Sequence, residues 1–568
     1  MSVYLLSILV WFPFLVAIIL MFVPRQAVGL VRWISVGAMV VELLVSLRMV
    51  VALHAPDGTL FAAVDYSKAG YLFVESHTWI ESFGIGYKLG IDGLSVWLVL
   101  LTTALSPIAL FGSWTGISTK IKEYAIAFLL LESAMLGAFV ALDLFLFYVF
   151  WELMLVPMYL IIGVWGGPER VYASVKFFLY TLVGSVLMLV AILYVVAQYK
   201  ALSGHWSFDL EEISRLVLPA WPQYLLFSAF AFAFAIKVPM FPLHTWLPDA
   251  HVQAPTGGSV ILAAVLLKMG TYGFLRFAMP LFPLASYKIV PTLGVLAVIG
   301  IVYGAYCAWK QKDVKKLVAY SSVSHLGFVM LGLFSMTPHG ISGAILQMVN
   351  HGISTGALFV LVGVIYERRH TRDIEAFGGL AKAMPIYATL FIIIAMSSVG
   401  LPGTNGFVGE FMILAGTFTS TSLPVPRIFA MVASTGVILA AIYMLHAVLK
   451  LFWGPVTKPE NKHIADVGWR EAVVLVPLVV LVFWIGLYPK PFLSRMDASV
   501  AQFVSAFDAK FGASVRASEP MLLPGAHPAA PEGDAAPAEP DQGATADAAG
   551  PGVRIVAPPR ALGAGGAP

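Results

Sequence analysis

Four ionisable side chains lie near the middle of long apolar runs in this sequence of 568 residues: Glu152, Lys237, Lys268 and Glu410. A charged group inside a lipid bilayer is costly, so each of them needs a partner, water or a shifted pKa. A lysine whose carboxylate partner approaches and withdraws can take up and release a proton. The residue types and their depth therefore predict proton binding and release inside a membrane.

The segment 230–251 joins a buried charge to a break in a helix. Lys237 lies deep in an apolar run, Pro239 follows two residues later, and Pro242 and Pro248 come next. A helix broken at membrane depth is tolerated only where the freed carbonyls meet protein or a water-filled cavity. We interpret the segment as part of an ion path. The alternative is a kinked core helix whose lysine snorkels to the surface, but a further apolar segment follows Lys237.

Glu152 and Lys237 have opposite charge, and we select them as a candidate pair. The alternative to a switching pair is a static buried salt bridge. Such a bridge stabilises poorly, because desolvation offsets most of the attraction. We therefore favour a pair that changes its protonation state.

Three histidines, His244, His325 and His351, are candidates for proton relays between these charges. Histidine titrates near neutral pH and can pass a proton from one ring nitrogen to the other. The alternative is a histidine that is only hydrogen-bonded in a core. Glu132 has no assigned role, and Asp143 is interpreted as a turn residue between two spans.

The composition predicts an all-α polytopic membrane protein. Hydrophobic residues make up 59% of the chain and charged residues 11%, whereas soluble domains carry about 25% charged residues. The net charge of +3 is diffuse, which does not favour nucleic-acid binding. The single cysteine, Cys307, excludes an internal disulfide and makes thiolate iron–sulfur ligation by this chain implausible.

Apolar runs of about 20 residues, long enough to cross a bilayer, recur along the chain. They predict about fourteen spans, at 3–23, 29–53, 91–113, 124–142, 144–166, 174–198, 221–247, 257–280, 289–309, 316–336, 340–366, 384–421, 428–453 and 471–489. The run 384–421 contains Leu401-Pro402-Gly403 and is interpreted as a second interrupted helix. Lys and Arg are concentrated in one set of alternate loops, including 310–316 and 368–372, which predicts that these loops are cytoplasmic and both termini are outside.

The two helix breaks, at Pro239 and Pro402, are offset by 163 residues, and this spacing indicates an internal repeat. Paired interrupted helices in corresponding positions of two halves indicate a transport path. We predict that helices 4–8 and 9–13 are two five-helix repeats, the second inverted in the membrane. The predicted divisions are N-terminal helices with an outer loop at 1–123, a first repeat at 124–280, a second repeat at 281–455, a C-terminal helix at 456–499, and a disordered Pro/Ala/Gly-rich tail at 500–568.

Five motifs resemble those of a known family. They are FLFYVFWELMLVPMYLIIGVWGG, KVPMFPLHTWLPDAH, LLKMGTYGFLRF, LVAYSSVSHLGFVMLGL and LPGTNGFVGEF. Together they resemble the antiporter-like, proton-conducting membrane subunits of respiratory complex I, over about residues 90–490. The resemblance implies fourteen helices with two inverted repeats. It places the family's functional glutamate on Glu152, its broken-helix lysine on Lys237, its central lysine on Lys268 and its last ionisable residue on Glu410.

The resemblance implies a subunit of a proton-translocating NADH–quinone oxidoreductase in a bacterial inner membrane. Its partners would be other membrane-arm chains of the L and N types, together with the lipid bilayer. We find no G-x-G-x-x-G after a strand, no Walker loop and no C-x-x-C. FMN, iron–sulfur clusters and quinone are therefore expected in partner subunits, with no redox site, cofactor or metal in this chain. Three alternatives remain: a subunit of a multi-subunit cation/proton antiporter, a structural spacer that conducts nothing, and a subunit of a membrane-bound hydrogenase.

Overall fold

The computed structural model describes residues 4–54, 60–456, 458–518 and 553–555, and they are mostly helical. The longer helices are α1 Leu5–Phe22, α2 Val28–Ser46, α3 Val96–Gly112, α4 Ile121–Val140, α5 Leu144–Leu153, α6 Leu155–Trp165, α7 Arg170–Ser203, α9 Ala220–Lys237, α10 Trp246–Gln253, α14 Pro283–Trp309, α15 Val314–Phe334, α16 Pro338–Arg369, α18 Pro385–Val399, α19 Asn405–Phe418, α20 Pro426–Phe452, α21 Trp469–Leu487 and α23 Asp497–Ser518.

The shorter elements connect or interrupt these helices. The short helices are α8 Leu210–Ile213, α11 Thr256–Ile261, α12 Leu267–Gly273, α13 Met279–Leu281, α17 Leu380–Ala383 and α22 Lys490–Leu493. Two π-helical turns, Leu262–Leu266 and Phe274–Ala278, join α11, α12 and α13 into one helix, Thr256–Leu281. The strands are β1 Val51–His54, β2 Leu60–Ala63, β3 Leu72–Ile80, β4 Ile85–Ile91, β5 Leu216–Val217 and β6 Arg554–Ile555.

Both predicted helix interruptions are confirmed. α9 ends at Lys237 and α10 begins at Trp246, with Pro239 between them; α18 ends at Val399 and α19 begins at Asn405. Eleven helices of the described residues are long and apolar enough to cross a membrane, and α3 and α18 are shorter apolar helices. The chain is thus a multi-pass helical membrane protein, and the count of fourteen crossings stays a prediction.

Three helices form the centre of the fold. Almost every residue of Thr256–Leu281, α15 and α16 is buried, including 26 consecutive positions of α16. Peripheral helices such as α2, α7 and α21 expose one face of apolar side chains instead. Polar side chains on the three central helices are therefore enclosed by protein, which is the only setting in which a membrane-spanning helix tolerates them.

Aspartate caps lie at corresponding positions of the two predicted repeats. Asp143 precedes α5 and accepts hydrogen bonds from the backbone N–H of Phe145 and Leu146, and Asp313 precedes α15 and accepts from Lys315 and Lys316. The backbone of each capping aspartate also forms an isolated β-bridge. Asp143 pairs in this way with Asp209, and Asp313 with Asp373. This recurrence supports the internal repeat, and the inversion of its second copy stays a prediction.

The predicted outer loop before the third span contains an antiparallel hairpin, β3–β4. Lys88 on β4 pairs with Asp209 at 2.6 Å and also with Glu211 in α8. Burial alone would lower the pKa of Lys88, but the bonds to these two carboxylates raise it above its ordinary value. The pairing holds the hairpin against the segment 207–213. The predicted span 91–113 begins too early, because β4 continues to Ile91 and α3 begins only at Val96.

The prediction of disorder from residue 500 onward is wrong for the first part of that segment. α23 extends from Asp497 to Ser518, and its apolar residues Val500, Phe507 and Phe511 pack on the core. Spacings of seven and four residues place these side chains on one face of a helix. The Ala/Pro/Gly-rich composition of the rest of the tail concealed that pattern. Residues 553–555 include a strand paired with β5, and 519–552 and 556–568 lie outside the described residues.

Candidate proton-conducting site

Lys268 lies at the centre of the fold, in the short helix between the two π-helical turns. Its side chain is fully buried. Nζ donates to the carbonyl oxygen of Ala263 at 2.5 Å and to Nδ1 of His351 at 2.6 Å. Ala263 belongs to the first π-helical turn, and π-turns recur at functional sites. The lysine is thus joined directly to one of the three predicted relay histidines.

His351 continues the connection toward a second histidine. Its ring centroid lies 5.7 Å from that of His325, which projects from α15. Nε2 of His351 has no hydrogen-bond partner among the described residues. Because Nδ1 accepts from Lys268, the neutral ring carries its hydrogen on Nε2. His351 therefore retains one free donor.

Glu410 ends this connection at the second helix interruption. Its Oε1 lies 3.0 Å from Nδ1 of His325 and accepts a hydrogen bond from Nε2 of Gln347 at 3.1 Å. Nε2 of His325 lies 3.2 Å from the hydroxyl of Ser398, just before the break. All four side chains are buried. We use the name buried row for Lys268, His351, His325 and Glu410.

The interruption between α18 and α19 is held by an amide and hydroxyl network. The Ser397 hydroxyl donates to Oδ1 of Asn405 at 2.5 Å, and Asn350 donates to the Asn405 carbonyl at 2.7 Å. Gly400 has φ +83°, and a Cβ there would lie 3.2 Å from Oε2 of Glu410. Glycine avoids the strain of that conformation and leaves room for the carboxylate.

Glu152 and Lys237 have a different arrangement. Lys237 is the last residue of α9, and Glu152 precedes the junction of α5 and α6 at Met154. No ion pair joins the two side chains in the part of the chain that the structure describes, although Lys237 is close enough to act electrostatically on the carboxylate. Nζ of Lys237 lies 5.2 Å from the ring centroid of Trp151 and 5.6 Å from that of Phe177.

These aromatic contacts give Lys237 a cation–π environment rather than a hydrogen-bonded one. Nζ has no hydrogen-bond partner among the described residues. A cation over an aromatic face gains about 2 kcal/mol when it is desolvated. The C-terminal end of a helix also favours a positive charge. Trp151 therefore belongs to the surroundings of Lys237.

Lys237 and Lys268 are close in the fold without touching each other. Their helices pack so tightly that a Cβ on Gly270 would lie 2.7 Å from the carbonyl oxygen of Phe234 and 2.8 Å from the backbone N of Val238. Among the described residues, Nζ of Lys237 forms no hydrogen bond, whereas Nζ of Lys268 bonds only to Ala263 and His351. The site thus has two parts, with a packed helix contact between them.

His244 does not join the buried row. It lies in the segment between α9 and α10, with its ring 5.8 Å from that of Phe241 and 5.2 Å from that of Tyr303. Sequence reasoning missed another histidine, His251, which is fully buried against Phe359 with a centroid distance of 4.7 Å. Neither ring nitrogen of His251 has a partner among the described residues. Its position in the LPDAH motif was the available signal.

Sequence reasoning also missed a buried ion pair. Arg276 lies inside the second π-helical turn and pairs with Asp92 at 2.5 Å. The predicted span 257–280 contains this arginine. Arginine within an apolar run needs a buried acid, and Asp92 lies more than 180 residues away in sequence. Sequence alone gave no way to connect them.

The fold and the site define a class: helical membrane proteins in which interrupted helices carry buried ionisable side chains. The sequence matches the family described as "NADH:quinone oxidoreductase/Mrp antiporter, TM" over residues 141–447. The chain belongs to this family. It is 46% identical over 525 residues to NADH-quinone oxidoreductase subunit M of Rhodobacter capsulatus, covering 90% of this chain and 99% of that protein.

Two solved structures share the fold. Respiratory complex I from Thermus thermophilus contains a chain with a TM-score of 0.77 and 32% identity, a match that covers 89% of this chain and all of that one. The Mrp complex from Dietzia sp. contains a chain with a TM-score of 0.72 and 22% identity, covering 90% of this chain and 56% of that one. The second likeness shows the fold alone.

Proposed function

We propose that this chain is a proton-translocating membrane-arm subunit of a respiratory NADH–quinone oxidoreductase, in the place that subunit M holds in its relatives. The observation that carries the proposal is the buried row, in which a lysine, two histidines and a glutamate follow one another through the centre of the fold. Family membership supports the oxidoreductase complex as its setting.

In this function Glu152 and Lys237 form the input that responds to neighbouring subunits. Lys237 keeps its proton while the Glu152 carboxylate and the rings of Trp151 and Phe177 stabilise the charge. A change of charge in an adjacent subunit alters that balance, and Lys237 releases its proton toward Lys268. Transfer across the packed contact of α9 and α12 requires movement of the helix break or bridging water.

The buried row then carries the proton onward. The Lys268 ammonium gives a proton to Nδ1 of His351, and that ring releases the hydrogen on Nε2 toward His325. His325 passes a proton from Nδ1 to the carboxylate of Glu410. Each transfer leaves the donor one proton short, so the next proton must enter at Lys268. Glu410 releases its proton to the outer side.

We place the remaining chemistry in partner chains. Electrons pass through FMN, iron–sulfur clusters and quinone held by partner subunits, and this chain contributes proton translocation alone. Its partners are other antiporter-like chains of the L and N types, in a bacterial inner membrane. Both termini lie on the outer face, which the distribution of Lys and Arg among the loops supports.

The second candidate function is a subunit of a cation/proton antiporter. The family description favours it, because it includes Mrp antiporters as well as the oxidoreductase. The two functions differ in what drives the proton. Proton movement in the first follows NADH oxidation, and in the second it follows a sodium or potassium gradient without any electron donor.

Lys268→Ala tests the proposal in the assembled complex. NADH-driven acidification of inverted membrane vesicles is measured with a pH-sensitive dye and normalised to the amount of assembled complex. We expect Lys268→Ala to abolish it. Lys316→Ala, which removes an exposed lysine from α15, should leave it unchanged. Undiminished acidification in assembled Lys268→Ala would overturn the proposal, and acidification driven by a cation gradient alone would favour the antiporter.

A further inference from the structure

A second pair of buried ionisable groups lies outside the buried row, in the N-terminal helices. Glu42 projects from α2 and Glu132 from α4, and the two helices pack against each other. Their side chains are 1% and 0% exposed, and the two carboxyl groups are neighbours that act on each other electrostatically. None of the four carboxyl oxygens has a partner among the described residues. We use the name carboxyl pair for Glu42 and Glu132.

The surroundings of the carboxyl pair contain hydroxyl groups. Ser106 on α3 lies beside Glu132, but its hydroxyl donates to the carbonyl of Thr102 at 2.9 Å. The hydroxyls of Ser46 and Thr103, one turn beyond Glu42, bond to each other at 2.8 Å. The hydrogen bonds of these neighbours are thus directed elsewhere.

Among the described residues, no positive side chain forms an ion pair with the carboxyl pair. α1 and α3, which pack against both helices, carry no Asp, Glu, Lys, Arg, His, Tyr or Cys. α2 and α4 themselves and the other elements around them carry Arg32, Arg48, Tyr87, Lys88, Lys122, Glu123, Tyr124, Tyr148, Glu152, Tyr159, Lys268 and Tyr272. In the described part of the chain, none of these forms an ion pair with either carboxyl group.

This arrangement requires a cation that the side chains do not supply. An ionised carboxylate only accepts hydrogen bonds, so two ionised carboxylates in contact repel each other and leave all their lone pairs unsatisfied. A buried charge without a partner is neutralised instead. One proton on either oxygen converts a repulsive contact into a charge-assisted hydrogen bond between acid and carboxylate.

We propose that Glu42 and Glu132 form a proton-binding site, in which the two carboxyl groups hold at least one proton at neutral pH. The proton comes from water. The site is separate from the buried row and from Glu152, because no hydrogen bond among the described residues joins it to Lys268 or to Glu152. It would add a protonatable position to the helices at the start of the chain.

Infrared spectroscopy of the assembled complex in lipid nanodiscs at pH 7 tests the proposal. The signal is the carbonyl stretch of a protonated carboxylic acid, identified by its shift in deuterated buffer. The spectrum of Glu42→Gln/Glu132→Gln is subtracted from that of the original protein. We expect a carboxylic acid band in this difference. Glu123→Gln, on the same helix but partly exposed and paired with Arg25, should give no such band.

The single variants keep the test meaningful if the double variant fails to assemble. In Glu42→Gln or Glu132→Gln the new amide donates to the remaining carboxyl group and replaces the proposed hydrogen bond, so assembly is expected. Each single variant should weaken or remove the band. A difference spectrum without the band would overturn the proposal. A band that disappears when choline chloride is replaced by sodium chloride would also overturn it, because a metal cation would then occupy the pair.

Discussion

The two parts of the candidate site carry similar residues in opposite arrangements. Lys268 is hydrogen-bonded to His351, and His325 is hydrogen-bonded to Glu410. Lys237 and Glu152 share no ion pair, and the lysine contacts aromatic rings. A connected row can pass a proton through small side-chain movements. A separated pair must change its geometry first, and it is therefore the part that can respond to a partner.

The depth of each helix explains this difference. Thr256–Leu281, α15 and α16 are enclosed on all sides, so their polar groups had to find partners within the protein. α5 lies nearer the surface of the chain, and Glu152 is only partly buried. The Glu152 side is thus open to the influence of neighbouring subunits, whereas the buried row is protected from it.

The largest expected effect comes from breaking the buried row at its middle. His351→Leu removes the group between Lys268 and His325, and loss of a proton-transfer group costs about 10²-fold or more in rate. We expect NADH-driven proton pumping in inverted vesicles to fall by at least that factor. His244→Leu is the matched control, because the His244 ring lies beside those of Phe241 and Tyr303 and is outside the row. Equal losses in both variants would contradict the comparison.

A smaller effect is expected from weakening the separated pair. Trp151→Leu removes one of the two rings that face Nζ of Lys237, and a desolvated cation–π contact contributes about 2 kcal/mol. Pumping should fall by about tenfold, since Phe177 still supports the charge. Trp151→Phe retains an aromatic face and should lose less. If Trp151→Leu pumped at the original rate, the aromatic rings would be packing alone.

The sequence could predict the parts of this arrangement that depend on local chemistry. A charge inside an apolar run and a proline two residues later were enough to predict Lys237 at a helix break. The break near Pro402 was predicted from the Leu401-Pro402-Gly403 segment inside the long apolar run 384–421. α23 was missed because its apolar spacing is short and stands before a long polar tail, and averaged composition conceals such a pattern.

Contacts between distant segments could not be predicted. The partnership of Lys268 with His351 spans 83 residues, and that of His325 with Glu410 spans 85. The packing of helices against one another, such as α11 against α16, decides which polar groups meet. Helix periodicity does not contain that information. The carboxyl pair shows the same limit, because Glu132 could not be assigned until Glu42 was found beside it.

A further test compares the two aspartate caps. Asp143→Ala and Asp313→Ala each remove the side chain that accepts hydrogen bonds from the first turn of α5 or α15. Loss of such a cap costs about 1 kcal/mol of stability. Thermal unfolding of the assembled complex should show a similar small loss for both. Pumping should be more sensitive to Asp143→Ala, because α5 carries the separated Glu152. Greater sensitivity of pumping to Asp313→Ala would reverse the comparison.

The smallest expected effect is a pH dependence of stability that comes from Asp143, the residue before α5. Burial raises the pKa of Asp143 to about 6, despite hydrogen bonds from the backbone N–H groups of Leu146, Gly86 and Phe145. In an unfolded chain the pKa of aspartate is about 3.9. Between these values the folded state binds more protons, so the stabilising contribution is complete below about pH 4 and is lost as pH rises through about 6.

Asp143→Asn keeps the cap and removes the titration. We expect the unfolding midpoint of the original protein to fall by about 1–2 °C more than that of Asp143→Asn between pH 4.5 and pH 6.5. Asp497→Asn, which replaces an exposed aspartate at the start of α23, should leave the original pH dependence intact. If Asp143→Asn kept the full pH dependence, the carboxyl group at the start of α5 would not be its source. The pH dependence of the unfolding midpoint would then have to come from another group.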